Sequence, residues 1–155
     1  MPAANESAGE TRFSVREIAL FLHALRLSVK AQRVQRRSLE DVAGALVRTR
    51  PLPRGVGADA AARAAGRACS RVKRWAGGLD TCLTRSLVAG ALLADRPGVV
   101  LHVGFRGQAT GPLHEGHAWV TLDGRNVTDA RDGEHAGPFT EALRVPLRRG
   151  GESRP

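Results

Sequence analysis

The sequence is poor in residues that hold small proteins together covalently or through metals. Its two cysteines, Cys69 and Cys82, are 13 residues apart in a chain of 155, and neither has a cysteine or histidine at the spacing of a zinc site. A domain of this length buries roughly two thirds of its unfolded surface, so it needs no disulfide. The sequence therefore predicts no metal and no cofactor, and it leaves both thiols for other chemistry.

Aromatic residues are also scarce, with four phenylalanines, two tryptophans and no tyrosine. Since 42% of the residues are hydrophobic, the core must be built from leucine, valine and alanine. We find no aromatic platform on which bases could stack, no zinc finger and no other recognition motif for nucleic acids. These absences argue against a nucleic-acid-binding module.

Long hydrophobic runs and targeting signals are absent as well. The N-terminal residues carry Glu6 and Glu10 and lack a basic stretch followed by an apolar run, which argues against a secretory signal. The most apolar segment, residues 18–29, is too short to span a bilayer and contains His23 and Arg26. The sequence predicts a cytoplasmic protein in a reducing compartment, with no membrane span.

Positive charge is present in excess. There are 24 lysines and arginines against 15 aspartates and glutamates, a net charge of +9. Such a balance favours an acidic partner, which could be a nucleic acid, an anionic membrane face, or an acidic peptide or protein. An arginine-rich composition without a binding role explains the charge equally well, so charge alone does not choose among these readings.

The first half of the chain has the signals of four helices. Ser14 and Glu17 form a capping box that begins the first helix, and Phe13 can staple onto its first turn. An apolar stripe follows at helical spacing, and the far end of the helix is basic. The stripe consists of Ile18, Leu22, Leu25 and Val29, and the basic end of Lys30, Arg33, Arg36 and Arg37.

Three further helices are predicted from caps and breaks. Ser38 caps a short helix that reaches about Val47. Asp59 caps an alanine-rich helix that runs toward Trp75 and ends at a Gly-Gly pair, and either Asp80 or Thr81 caps the fourth. The apolar face of the alanine-rich helix comprises Ala61, Ala65, Ala68, Cys69 and Val72.

Strands are predicted after Gly98. Residues 99–105 form one strand, residues 106–116 a loop, and residues 117–128 a hairpin around Asp123-Gly124. A last strand lies at about residues 143–147. Helices followed by strands indicate an α+β fold. We expect a disordered lead-in over 1–11, one domain over 12–147 with helices in 14–95 and a sheet in 99–147, and a flexible tail over 148–155.

Cys82 is the candidate nucleophile. It begins the fourth helix, where unsatisfied N–H groups and the positive end of the helix dipole favour the thiolate form. Cys69 lies in the middle of an apolar helix face, which suits an inert core thiol. A cysteine at a helix start is still more often structural than catalytic, so the interpretation depends on finding a base.

His117 is the candidate base, because it begins a strand, which would give its imidazole a fixed orientation. The other four histidines fit solvated or packed positions better: His102 alternates within a strand, His114 and His135 lie in loops, and His23 lies on a helix.

Asp129 is the candidate third member of a catalytic triad with Cys82 and His117. Its expected role is to hold the imidazole in the productive tautomer. With a two-residue loop at Asp123-Gly124, His117 would face Ala130, and Asp129 would point to the other side of the hairpin. We therefore predict a three-residue loop or a bulge near Gly124, which would bring Asp129 diagonally beside His117.

An acyl intermediate also needs donors to its oxyanion. The backbone N–H of Cys82 is the natural first donor. The indole N–H of Trp75 is a candidate second donor, although an indole at this position is more often part of a core.

Five segments resemble one known family. Trp75, residues 81–87 (TCLTRSL), residues 103–105 (VGF), residues 116–120 (GHAWV) and Asp129 occur in the order found in the lasso-peptide biosynthesis B protein, in its transglutaminase-like, papain-like peptidase half. The resemblance covers about residues 13–130. It implies a papain-like α+β peptidase core in which Cys82, His117 and Asp129 form the triad. The implied activity is removal of the leader from a ribosomally made lasso-peptide precursor.

The resemblance also implies partners. Fused members carry a winged-helix leader-recognition domain, but the segment before Cys82 lacks the strands such a domain needs. This implies a stand-alone peptidase that works with a separate recognition protein and, later in the pathway, an ATP-dependent cyclase, with no nucleic acid or membrane partner. The basic helix ending at Arg37 is a candidate docking surface, or simply a solvated one.

Three rival functions remain open at the level of sequence. The same triad could serve an acyltransferase or amidase, because the acceptor is not encoded in the triad. A basic nucleic-acid-binding module and a non-catalytic scaffold of a maturation complex are the others.

Overall fold

Helices occupy the first part of the chain and strands the second. The computed structural model describes residues 14–34, 37–49, 55–107, 114–128 and 139–148. The elements within these residues are α1 (Val15–Val34), α2 (Leu39–Val47), α3 (Ala58–Ala76), α4 (Cys82–Leu93), β1 (Val99–Gly107), β2 (His114–Leu122), β3 (Arg125–Asn126) and β4 (Thr140–Pro146). The strands form an antiparallel sheet in the order β3-β2-β1-β4. The predicted α+β class is confirmed.

Local capping chemistry places two helix starts where the sequence predicts them. Glu17 accepts a hydrogen bond from the Ser14 N–H at 3.0 Å, and Ser14 Oγ accepts one from the Glu17 N–H at 3.2 Å, which completes the capping box of α1. Ser38 Oγ caps α2 by accepting from the N–H of the third helical residue at 3.2 Å. The predicted staple by Phe13 lies outside the described residues.

The start of α3 corrects a prediction. Asp59 is not the N-cap of α3. The N-cap is Gly57, which has no side chain that could cap the helix, and Asp59 lies in the first turn, where its negative charge interacts favourably with the helix dipole. The end of α3 is as expected. Gly77 adopts φ 65° and donates its N–H to the Lys73 carbonyl, a left-handed cap that glycine accommodates best.

The buried face of α1 is not the predicted stripe. Ile18 and Leu22 are 48% and 49% exposed, whereas the buried residues are Leu20, Ala24, Leu27, Ser28 and Ala31. The reason lies in α3, whose predicted apolar face is confirmed and consists mainly of alanine. The α1 face that contains alanines meets it, because small residues on both helices permit close approach. The bulkier stripe is left on the outside.

Helix α4 runs through the centre of the fold. Its residues from Ser86 to its last turn are buried, and it contacts α1, α2, α3, β1 and β2. Gly90 lets it approach the sheet, because a Cβ at this position would lie 2.3 Å from a methyl carbon of Leu147. The helix that carries Cys82 is therefore fixed on all sides.

The sheet is longer and its turn tighter than predicted. β1 extends to Gly107 and β2 begins at His114, so both ends of the predicted loop over 106–116 belong to strands. Leu122 pairs with Arg125 across a two-residue loop, which makes the predicted longer loop or bulge near Gly124 wrong. Both loop residues have positive φ, 52° and 80°, the conformation in which Asp-Gly matches the twist of two strands.

Among the described residues, no helix combines the length and apolar character needed to cross a bilayer.

Candidate active site

Cys82 is the first residue of α4 and is half-buried. Its helix is capped by Thr81, whose Oγ1 accepts a hydrogen bond from the Thr84 N–H at 3.2 Å. Within the described part of the chain, no hydrogen bond engages the Cys82 N–H or its thiol. Both groups are therefore available to a bound molecule, the N–H as a donor and the sulfur as a nucleophile.

The segment leading to Cys82 is held by side chains from two other helices. Gln32 on α1 accepts from the Leu79 N–H at 3.0 Å and donates to the Leu79 carbonyl at 2.6 Å. Asp80 accepts two bonds from Arg85, at 2.7 and 2.9 Å, and one from Ser70 at 2.9 Å. Hydrogen bonding to Arg85 lowers the pKa of Asp80 below its ordinary value. These contacts fix where α4 begins.

Cys69 has a different environment, as predicted. Its side chain is fully buried in α3, and its sulfur lies 3.4 Å from Ser28 Oγ. Burial raises the pKa of the Cys69 thiol, because a charged sulfur would lose its hydration there. Cys69 is therefore a core residue with little thiolate.

His117 lies on β2 in register with Gly104 of β1. Its ring stacks on Phe139, with ring centroids 4.9 Å apart, and on Trp119, with centroids 5.9 Å apart. A Cβ at Gly104 would lie 3.1 Å from the Trp119 ring, so glycine gives the indole room across β1. Aromatic stacking thus contributes to the orientation of the imidazole.

One hydrogen bond joins the cysteine helix to the histidine strand. Ser86 Oγ donates to the Ala118 carbonyl at 2.8 Å in a buried position. Ser86 lies one helical turn after Cys82, and Ala118 directly follows His117. Cys82 and His117 both line one cleft of about 1290 Å³, together with residues of α1, α3 and the segment that follows β3. The structure brings the predicted nucleophile and base to the same cleft.

A comparison with family models identifies the superfamily of this domain. The model of the transglutaminase-like superfamily matches residues 12–143. The chain belongs to the transglutaminase-like superfamily. Searches of curated proteins and of solved structures found no match. Membership of this superfamily supports a cysteine-peptidase-like enzyme. The match is to the superfamily as a whole and contains nothing specific to lasso-peptide maturation.

In this transglutaminase-like domain, His102 stacks on Trp119, the residue that also stacks on the candidate base His117. His102 is 7% exposed, and both ring nitrogens are engaged, Nδ1 by the Glu141 carboxylate and Nε2 by Thr121 Oγ1 at 2.8 Å. Its ring lies parallel to Trp119, with centroids 5.2 Å apart and planes within 6°. The indole thus stacks with both His102 and His117. Sequence reasoning missed this stack, although the pairing of β1 with β2 places His102 opposite Trp119.

Asp129 lies outside the described residues. The ladder between β2 and β3 ends at Asn126, and Val120 then bonds two successive residues: its carbonyl accepts from the Val127 N–H at 2.8 Å, and its N–H donates to Thr128 Oγ1 at 3.0 Å. Regular pairing therefore stops before Asp129. With the predicted loop wrong, the assignment of Asp129 stays a prediction that depends on the family resemblance.

Trp75 is 68% exposed, which makes the alternative of a core position wrong. The Arg71 guanidinium lies 4.9 Å from the centre of its ring. Trp75 is not among the described residues that line the cleft. Its role as an oxyanion donor stays a prediction that no contact of the described residues supports.

Proposed function

We propose that this transglutaminase-like domain is a cysteine peptidase that removes the leader from a ribosomally made lasso-peptide precursor. The observation that carries the proposal is the shared cleft of Cys82 and His117, fixed by the Ser86 hydrogen bond to the carbonyl next to His117. A nucleophile and a base held on rigid elements that face one cleft are the minimum for acyl transfer from a peptide. The family resemblance supplies the substrate class.

In the proposed reaction, His117 takes the thiol proton of Cys82 while the sulfur attacks the scissile carbonyl carbon. The Cys82 N–H stabilises the oxyanion that forms. When this intermediate collapses, the C–N bond breaks, and His117 returns the proton to the leaving amine, which is the new N-terminus of the core peptide. Water then attacks the thioester, releases the leader acid and restores the thiol. Asp129 is assigned to orient His117.

Partners are part of the proposal. A separate recognition protein would present the leader, and an ATP-dependent cyclase would close the freed core. Helix α1 offers a surface for such a partner, because Ile18 and Leu22 are about half exposed and Arg33 and Arg37 are exposed at its end. Lys30 is less available, since its ammonium donates to the Ala45 carbonyl at 2.8 Å.

The test is cleavage of a synthetic precursor peptide taken from a reading frame beside that of this protein, with the recognition protein present. We expect Cys82→Ala to abolish leader release, a loss of at least about a thousandfold, since no nucleophile remains. Cys69→Ala is the matched control and should retain cleavage. Release of leader by the Cys82→Ala variant would refute the proposal. A leader joined to an added amine, detected by mass, would show an acyltransferase instead.

A further inference from the structure

Helix α3 carries a row of arginines along the cleft that contains Cys82. Arg63, Arg67, Arg71 and Arg74 follow one another at spacings of four, four and three residues, so they project from one face of the helix. All four are exposed, and all four line the cleft. We call them the α3 ridge. From the sequence alone, the ridge was not identified as a candidate binding site, because these arginines counted there only as part of the net charge.

The protein compensates the charge of the ridge only in part. Of the described residues, none contributes a carboxylate within ion-pair distance of Arg63, Arg67 or Arg74. Two acidic groups of the cleft lie close to the ridge. Hydrogen bonds from Ser14, and in addition the charges of Arg67 and Arg63, lower the pKa of Glu17, and the Asp59 carboxylate lies 3.9 Å from the Arg125 guanidinium. Asp80 is bonded to Arg85, Glu115 to Arg106, and Glu17 to the Ser14 cap. Like charges one turn apart destabilise an isolated helix, so the row has a cost that a ligand would offset.

The floor beside the ridge has room for a polypeptide backbone. Ala62, Gly66 and Ser70 are the small residues of α3 that line the cleft, and a Cβ at Gly66 would meet nothing within 4 Å. From Arg63 to Arg74 the helix rises about 16 Å. An extended peptide of about five residues covers the same length.

We propose that the α3 ridge binds an acidic stretch of the peptide substrate and thereby places the scissile bond at Cys82. This inference rests on the proposed peptidase function and adds the class of substrate, a peptide with several carboxylates near the cleavage site. Arginine suits this role because its planar guanidinium can bind a carboxylate through two parallel hydrogen bonds. A nucleic acid is the less favoured ligand, since Phe21 and His117 are the only aromatic rings among the described lining residues.

Binding can be measured on the full chain carrying Cys82→Ala, which cannot turn over. The probes are a fluorescent peptide of alternating Glu and Ser, its Gln counterpart, and single-stranded DNA, all at low salt. The ridge variant is Arg63→Gln, Arg67→Gln and Arg74→Gln. The matched control is Arg48→Gln, Arg144→Gln and Arg148→Gln, which removes the same charge from exposed arginines that lie outside the cleft and away from α1.

We expect the ridge variant to lose at least about tenfold in affinity for the Glu peptide and the control to stay within about threefold. The Gln peptide should bind weakly to every variant, and added salt should weaken the Glu peptide's binding. Equal losses in both variants would overturn the proposal, because only net charge would then matter. Tighter, ridge-dependent binding of DNA would also overturn it.

The two proposals fail separately. If the wild-type chain cleaves no precursor but the Glu peptide still depends on the ridge, the peptidase function fails and the acidic-peptide site stands. If cleavage depends on Cys82 but the ridge variant binds the Glu peptide and cleaves like the control, the ridge proposal alone is wrong. In the wild-type background, we expect the ridge variant to raise KM for an acidic precursor about tenfold and to leave kcat unchanged.

Discussion

The surroundings of the two cysteines differ sharply, although only residues 77–81 separate their helices. Cys69 is fully buried between alanine-rich helix faces, where its pKa is raised. Cys82 is half-buried at a helix start, and its sulfur and N–H make no hydrogen bond within the described part of the chain. The comparison shows that position within a helix governs how accessible a thiol is, since the packed mid-helix face buries the sulfur of Cys69 and the first turn leaves Cys82 half-buried.

The largest expected difference is in alkylation rate. In the folded protein we expect iodoacetamide to modify Cys82 at least about a thousandfold faster than Cys69, because Cys69 must wait for an opening of the core. Peptide mapping by mass spectrometry measures the two rates. In urea above the unfolding midpoint the rates should converge. Equal rates in the native protein would contradict the buried position of Cys69.

A buried serine beside each cysteine sharpens the comparison. Ser86→Ala leaves the Ala118 carbonyl without its donor, and we expect a loss of about 1–3 kcal/mol in the free energy of unfolding. Cleavage should fall about tenfold at saturating substrate, because the helix of Cys82 is no longer tied to the strand of His117.

Ser28→Ala is the matched change near Cys69. Ser28 Oγ donates to the Ala24 carbonyl of its own helix at 2.9 Å, so we expect a smaller loss of about 1 kcal/mol and unchanged kcat. Urea unfolding and steady-state kinetics measure both variants. A greater fall of kcat in Ser28→Ala than in Ser86→Ala would contradict the assigned role of the Ser86 bond.

An effect smaller than that of Ser86→Ala is expected for the segment between the two helices. Asp80→Asn removes the charge that Arg85 and Ser70 bind, and should lower the free energy of unfolding by about 1–2 kcal/mol at neutral pH. Because the folded-state pKa of Asp80 is lowered, this difference should be complete above the ordinary pKa of 3.8 and vanish as the pH falls through the lower folded value.

Urea unfolding of both proteins across acid pH measures this difference. Asp59→Asn is the control, since its side chain is 63% exposed and 3.9 Å from Arg125, and it should change stability by less than about 0.5 kcal/mol. A pH-independent difference between the wild type and Asp80→Asn would show that the Asp80 charge does not stabilise the fold.

Local chemistry predicted much of the fold. The capping box at Ser14, the serine cap at Ser38 and the glycine cap at Gly77 depend on neighbours in sequence, and all three are confirmed. Two local predictions were wrong, the Asp59 cap and the longer loop near Gly124, and the wrong buried face of α1 was a tertiary choice. The alanines of α3 decide which face of α1 is buried. The stripe through Leu22 stays exposed because the smaller residues on the other face of α1 allow closer packing.

The candidate site divides in the same way. A cysteine at the start of a helix and a histidine on a strand could be read from the chain, because caps and strand patterns are local signals. The stack of His102, Trp119 and His117 could not, since it depends on strand pairing that joins residues far apart in sequence.

By itself, the sequence determined the order of helices and strands, the thiol at the head of α4 and the excess of positive charge. Only the tertiary structure decided that Cys82 and His117 share a cleft, that a buried serine ties their elements together, and that four arginines of α3 line the same space. The physical reason is the distance along the chain over which each interaction acts. Capping and periodicity act over a few residues, whereas a cleft exists only after helix and sheet have packed.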